Sequence, residues 1–153
     1  MTTPPLQDFS EFLNQNPNDG WVRVMGMHFT RATTEEIEAE VEIELKHRQA
    51  YGIVHGGVHC GIIETLASVG AALNVMQEGK TAVGLENHTS FIRAARAGRI
   101  RAVAKPLTRG RRSHVWEGTV YDEEGRVLAT GRVRMMILEG DAVVAGERVE
   151  VKG

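Results

Sequence analysis

Cysteine is nearly missing from this chain. Cys60 is the only one, so an intramolecular disulfide is impossible and a reducing compartment fits best. An excess of either charge is also missing. The formal net charge is −2, which leaves no global field to draw the molecule toward nucleic acid or anionic lipid. No apolar run approaches the ~20 residues that a membrane-spanning helix needs. The opening residues MTTPPLQDFSEF hold neither a basic stretch nor an apolar one, so no secretory leader is expected and the expected location is the cytoplasm. Paired-cysteine and HEXXH spacings are absent, which argues against a metal site at His55, His59 and Cys60. No phosphate-loop Lys-Ser/Thr follows the glycines of 52–61, and neither Ser68 nor Ser90 sits in a nucleophile elbow. Internal repeats and low-complexity stretches are absent too.

What remains is an ordinary globular composition, 42% hydrophobic and 25% charged over 153 residues, enough for one self-sufficient core. Residues 1–20 read as an N-terminal segment, with a short amphipathic helix carried by Leu6, Phe9 and Leu13. Between Glu36 and Leu45 the clearest strand appears: Ile37, Ala39, Val41, Ile43 and Leu45 alternate with five glutamates. Trp21 to Thr30 is expected to be its hairpin partner. From Gly57 to Gln77 the period changes. Ile62, Leu66, Val69, Leu73 and Met76 form one helical stripe, and Gly57, Cys60, Gly61, Ala67, Ser68, Ala71 and Ala72 form a small-residue face. Gly79 suits a left-handed cap. Four strand-like runs follow, at 82–92, 99–105, 113–121 and 126–138, with Asp122-Glu123-Glu124-Gly125 as a hairpin turn. Residues 139–153 read as a polar tail. This order predicts an α+β domain over 21–138: an antiparallel sheet of about six strands with one long central helix. A sheet so sparsely covered should self-associate.

Chemistry concentrates in residues 49–64. Gly56 and Gly57 stand at the helix start without a Ser, Thr, Asp or Asn cap. The first amides of a helix lack intrahelical partners and carry the positive end of its dipole, which suits an oxyanion; a sharp turn into the helix explains the same glycines. Glu64 lies on the small-residue face, where an unpartnered ionised carboxylate is costly. It reads either as a general base or as a solvated helix-edge glutamate. Ser68 follows one turn on, as a water ligand or a small packing residue. Gly56 and Glu64 are eight residues apart, about 12 Å along a helix, too far for both to grip one carbonyl group. A site that uses both needs two subunits. Eight of the 18 Lys and Arg residues lie between Arg93 and Arg112, with no acid among them. That span suits the phosphates of a nucleotide, or a solvated strand face balanced by the glutamates of 36–44. Without interleaved aromatics, nucleic acid is not the expected partner.

Three segments, QAYGIVHGGVHCGIIETLAS, VGLENHTSFIRAARAG and GRRSHVWEGTVYDEEGRVLATG, together resemble the hotdog-fold thioesterases. The branch most similar contains the 4-hydroxybenzoyl-CoA and phenylacetyl-CoA (PaaI-like) enzymes. The resemblance covers Trp21 to Leu138 and implies hydrolysis of an aryl- or medium-sized acyl-CoA. In its terms the Gly56 amide, with Gly57 and His55 beside it, polarises the thioester carbonyl. Gln49 assists, and Glu64 attacks the carbonyl or activates water. Ser68 replaces a family threonine and keeps the hydroxyl. Asn87 and His88 of the NHTSF segment, Arg93 after it, and Arg111, Arg112 and Ser113 fall at substrate or CoA contacts, although the two adjacent arginines replace smaller polar residues. The resemblance also implies a homo-oligomer, a dimer or more often a tetramer, with sites at subunit interfaces. It implies no metal or other cofactor, since CoA is part of the substrate. The alternative is a non-catalytic acyl-CoA-binding or sensing module of the same fold. No helix-turn-helix precedes the domain, and Glu64 is present, so catalysis is favoured; a hydratase would need an Asp/His pair that is missing.

Overall fold

The computed structural model describes residues 5–151. In chain order the main elements are α1 (Ser10–Asn14), α2 (Gly20–Met25), β1 (Met27–Ala32), β2 (Ile37–Glu42), α3 (Gly56–Val75), β3 (Thr81–Phe91), β4 (Arg99–Arg109), β5 (Ser113–Tyr121) and β6 (Val127–Leu138). A small hairpin, β7 (Val143–Val144) and β8 (Glu147–Arg148), occupies the polar tail. The six long strands form one antiparallel sheet in the order β1-β2-β4-β5-β6-β3, and α3 lies across its concave side. This is the expected two-layer arrangement, six strands around a single long helix.

The core is the seam between α3 and the sheet. Ile62, Ile63, Leu66 and Ala71 of the helix are buried against Ile37, Val41, Ile100, Trp116, Val133 and Met135 from four strands. The buried face is rotated from the expected stripe. Val69 and Leu73 are only half-buried and Met76 is exposed, whereas His59 and Gly70 face inward. Indole rings cause the rotation. Trp116, wholly buried, lies on Gly70, and Trp21 lies on Gly61. Each large ring needs a helix position without a side chain, and the small-residue face supplies it.

Two expectations about the first hairpin need correction. Trp21–Thr30 is not one strand. Asp19 accepts a hydrogen bond from the Val22 amide at 3.2 Å and starts α2, while Gly26, at φ 66°, ends it. The Asp and Gly signals outweigh the apolar run between them. Leu45 does not extend β2 either; it is 81% exposed in a short 3₁₀ turn. That turn is pinned by buried His47, whose Nδ1 accepts from the Glu44 amide at 2.8 Å, so that Nε2–H donates to the Met25 carbonyl at 2.8 Å. The N-terminal helix is shorter than the 6–14 periodicity predicts. Asp8 and Asn14 instead hydrogen-bond the β1 backbone at Ala32 and Phe29. They close that edge of the sheet.

The other edge, β3, is open, with Leu85 and Phe91 exposed. Gly79 adopts the expected left-handed conformation after a 3₁₀ turn that prolongs α3. The whole helix, Gly56–Glu78, is long and apolar enough to cross a membrane by length and composition, contrary to the sequence expectation. Its Val, Ile, Leu and Ala residues raise the mean hydropathy while it carries few charges, but the inward half of the helix is committed to the sheet.

The indole packing makes a specific prediction. A Cβ at Gly70 would lie 2.7 Å from Cζ2 of Trp116, so Gly70→Ala should destabilise the protein by about 1–3 kcal/mol through overpacking. Gly20, with open space around it, should accept alanine with little change or a small gain. Urea unfolding of both variants at one protein concentration checks the contrast; equal stabilities would contradict the packing account.

Candidate active site

Two groups of site residues line the seam between α3 and the open strand β3, one at the helix start and one two turns along. At the start, His55 is the cap that the sequence did not reveal. Its Nδ1 accepts from the Gly57 amide at 2.8 Å, and its carbonyl accepts from Val58 at 2.9 Å. The Gly56 amide, between them, has no hydrogen-bond acceptor among the described residues. It points out of the positive end of a helix twenty residues long. The Phe91 ring lies against Gly56, where a Cβ would be 2.7 Å from Cζ, so a bare backbone is needed at this spot.

A cavity of about 320 Å³ opens beside Gly56, lined by Gln49, Ile53, Val54, Gly56, His59, Phe91, Ile92, Arg93 and Ala94. The Gln49 carboxamide oxygen accepts from the Tyr51 amide within its own turn, which leaves the NH₂ group as its free donor. The structure therefore brings Gln49, Gly56 and Arg93 together. It also brings in His59 and Phe91, which sequence reasoning did not select. His59 is 3% exposed and its Nδ1 has no partner. Burial alone pushes its pKa down to about 4, so the imidazole is neutral at physiological pH.

Farther along α3, Glu64 is half-buried and faces β3. Its Oε2 accepts from Nδ2 of Asn87 at 3.1 Å, and its Oε1 lies over Gly84, where any Cβ would collide with it. Asn87 also donates to the Cys60 carbonyl at 3.0 Å, so both of its amide hydrogens are engaged within the chain. Ser68 sits half-buried one turn beyond Glu64, its hydroxyl without a partner among the described residues. The eight-residue separation of Gly56 and Glu64 on one unbroken helix confirms the span of about 12 Å.

The basic span sorts into two classes. Arg99, Arg101, Lys105 and Arg109 form ion pairs with Glu40 and Glu42, Glu38, Glu36 and Glu35 respectively. They are the solvated, charge-balanced strand face, worth about 0–1 kcal/mol each. Arg93, Arg96, Arg111 and Arg112 form no ion pair among the described residues, and Arg96 donates instead to the Tyr51 carbonyl at 2.7 Å. Arg111 lines a second cavity of about 320 Å³ with Lys80, Arg109 and buried His114. Its lining includes Asn74 and Val75, at the far end of α3 from Arg93. Arg112 follows in the β4–β5 turn, and Ser113 is the first residue of β5. The chain thus does not bring Arg93 near Arg111–Ser113. Nor does it bring His88 to Glu64 or Gly56. His88 shares the outer face of the sheet with Ser90, Glu117 and Arg132, because alternate strand residues point to opposite faces.

Comparison with known proteins adds a family. The family model described as "Thioesterase superfamily" matches residues 51–129. The chain is 35% identical over 128 residues to the proofreading thioesterase EntH of Cronobacter sakazakii, covering 84% of this chain and 93% of that protein. It is 34% identical, with the same coverage, to the 1,4-dihydroxy-2-naphthoyl-CoA hydrolase of Escherichia coli K12. Among solved structures, the thioesterase HI1161 of Haemophilus influenzae superposes with a TM-score of 0.80 at 30% identity, over 86% of this chain and 91% of that one.

Buried His59 makes the chain acid-sensitive. Its pKa of about 4 lies below the ordinary 6.5, so below pH 6.5 the unfolded chain takes up a proton that the folded one refuses. The stability held above pH 6.5 should fall as the pH drops through this window, by on the order of 3 kcal/mol when pH 4 is reached. His59→Leu should flatten that decline, measured by urea unfolding at pH 7 and pH 4. An unchanged difference between the two pH values would mean that His59 is not the group responsible.

Proposed function

The chain belongs to the thioesterase superfamily and is a thioester hydrolase; from that premise we propose that its substrates are acyl-CoA thioesters with an aryl or medium-sized acyl group, cleaved to the free acid and CoA. The observation that carries this reading is Glu64, a half-buried carboxylate fixed on the packed side of the central helix by Asn87. A plain solvated glutamate would need no such support. The E. coli and Cronobacter relatives, named for hydrolysis of a naphthoyl-CoA and for a proofreading thioesterase, support an acyl-CoA substrate; placement in a PaaI-like branch is part of the proposal.

In this reading the free Gly56 amide and the Gln49 carboxamide donate to the thioester oxygen, where negative charge builds up at the transition state. One such donor is typically worth about 3 kcal/mol. Glu64 either attacks the carbonyl carbon or takes a proton from water that attacks it, with the Ser68 hydroxyl orienting that water. The tetrahedral intermediate collapses by breaking the C–S bond, and CoA departs as a thiolate that picks up a proton; where Glu64 was the nucleophile, water then hydrolyses the acyl–Glu64 anhydride to the free acid and restores the carboxylate. Arg93, Arg111 and Arg112, which have no carboxylate partners among the described residues, hold the CoA phosphates; His55, Gly57 and Ser113 complete the contacts, whereas His88, on the outer face of the sheet, takes no part. No metal or further cofactor takes part. Both the ~12 Å separation of Gly56 from Glu64 and the placement of Arg93 and Arg111 at opposite ends of α3 support a site that draws on two chains. The open β3 edge beside them offers a pairing surface for a homo-oligomer, in the proposal a tetramer.

Three outcomes follow. Glu64→Ala, still folded and assembled, should lose at least about 100-fold in turnover, measured by thiol release from a panel of aryl- and fatty-acyl-CoAs. Wild-type turnover in that variant would remove Glu64 from the mechanism. Replacing Arg93, or Arg111 with Arg112, should raise KM for CoA esters more than it lowers kcat, yet leave a pantetheine thioester unaffected. Equal losses on both substrates would rule out phosphate binding. Mixing inactive Glu64→Ala chains with inactive Gln49→Ala chains should restore activity toward a quarter of wild type, because random dimers with two sites regain one intact site in half of the pairs. No recovery after subunit exchange verified by mass would place each site within a single chain.

A further inference from the structure

The Glu64 carboxylate is not merely near Asn87; its setting on β3 is built. Nδ2 of Asn87 donates to Oε2 of Glu64 at 3.1 Å and to the Cys60 carbonyl at 3.0 Å, while Oδ1 of Asn87 accepts from the Thr89 hydroxyl at 2.6 Å. The nitrogen side thus faces two acceptors and the oxygen side faces a donor, so only one orientation of this amide satisfies all three bonds. Thr89 is held in turn. A Cβ at Gly131, its partner on β6, would meet the Thr89 hydroxyl. At the other end, the bare backbone of Gly84 admits Oε1 of Glu64. Gly84 and Asn87 are three residues apart, and in a regular strand they would face opposite sides of the sheet. The register shift between Gly84 and Glu86 is a bulge that turns both toward α3.

We propose that Asn87 and Thr89 are positioning residues of this enzyme: a two-residue clamp, supported by the Gly84 bulge and the Gly131 gap, that holds the Glu64 carboxylate in its reactive orientation. This rests on the functional reading above. It gives Asn87 a task different from substrate contact, since both its hydrogens are engaged with α3. A carboxylate on a long, flexible side chain otherwise samples several rotamers, and a misplacement of about 1 Å can cost a reaction 100-fold. A clamp acts on the chemical step, not on binding of the distant CoA moiety.

The test separates positioning from mere structure and from failure of the functional reading. Asn87→Ala should lower kcat at least tenfold with KM within about twofold of wild type. Thr89→Val, which keeps the shape and removes the hydroxyl, should lower kcat three- to tenfold, and Thr89→Ser should restore it. Independently of turnover, the ¹⁵N–¹H resonances of the Asn87 side-chain amide should shift in Glu64→Ala and in Thr89→Val. Should those resonances stay in place, the clamp does not exist. If they move while Asn87→Ala keeps wild-type kcat, or if Thr89→Ser is as impaired as Thr89→Val, positioning is refuted. Should wild-type protein hydrolyse no acyl-CoA, the functional reading fails while the resonance shifts still report on the clamp.

Discussion

Everything in this molecule is arranged around the close approach of one helix to one edge strand. α3 rests on β3 through positions where a side chain has been removed on one surface or the other: Gly56 under Phe91, and Gly84 under Glu64. Close approach matters because a carboxylate on the packed side of a core helix is tolerated only if hydrogen bonds replace the water it has lost. Asn87 supplies one such bond. A conventional, evenly pleated β3 with ordinary side chains would push the helix away and leave Glu64 either extruded or unsatisfied. The bulge at Gly84–Glu86 and the glycine there are thus conditions for having an acid at position 64 at all.

The same helix imposes a limit. Its start carries a free amide in the field of the whole dipole, and its middle carries the carboxylate, but a rigid rod keeps the two about 12 Å apart. No rotation of side chains removes that separation. Together with an unpaired β3 edge, it is the reason the proposed mechanism calls on a second chain. The other edge of the sheet is closed by Asp8 and Asn14, which leaves β3, beside Glu64, as the open edge.

Charge is distributed by a similar logic. Lys and Arg crowd into one stretch, but geometry divides them. Those on β4 stand opposite or diagonally across from the glutamates of β2 and of the residues just before it, and are neutralised there. Arg93, in the loop after β3, and Arg111 and Arg112, in the β4–β5 turn, lie beyond the reach of those glutamates. Position relative to β2, and not charge density along the chain, decides which of these cations are available to a phosphate.

Much of this was legible in the chain itself. Strict alternation over 36–44, the turn at Asp122–Gly125 and the helical period after Gly56 determined the strand and helix inventory, because each pattern is a local consequence of backbone geometry. Glu64 stood out for the same reason: the period placed an acid on a face of small residues. The sequence also determined the 12 Å separation, since residue count alone sets length along a helix. Local pattern failed where short polar signals overrode an apolar run, as Asp19 and Gly26 did in making α2. It failed again where a side chain served as its own local device, as in the His55 cap. What only the tertiary structure decided was everything that depends on two distant segments meeting. The rotation of α3 was set by Trp21 and Trp116, and the sorting of the arginines by β2. The burial of His59 was set by its position on the rotated helix, and the grip of Asn87 and Thr89 on Glu64 by a one-residue bulge in β3. None of these has a period or a motif, because none is made by neighbours in sequence.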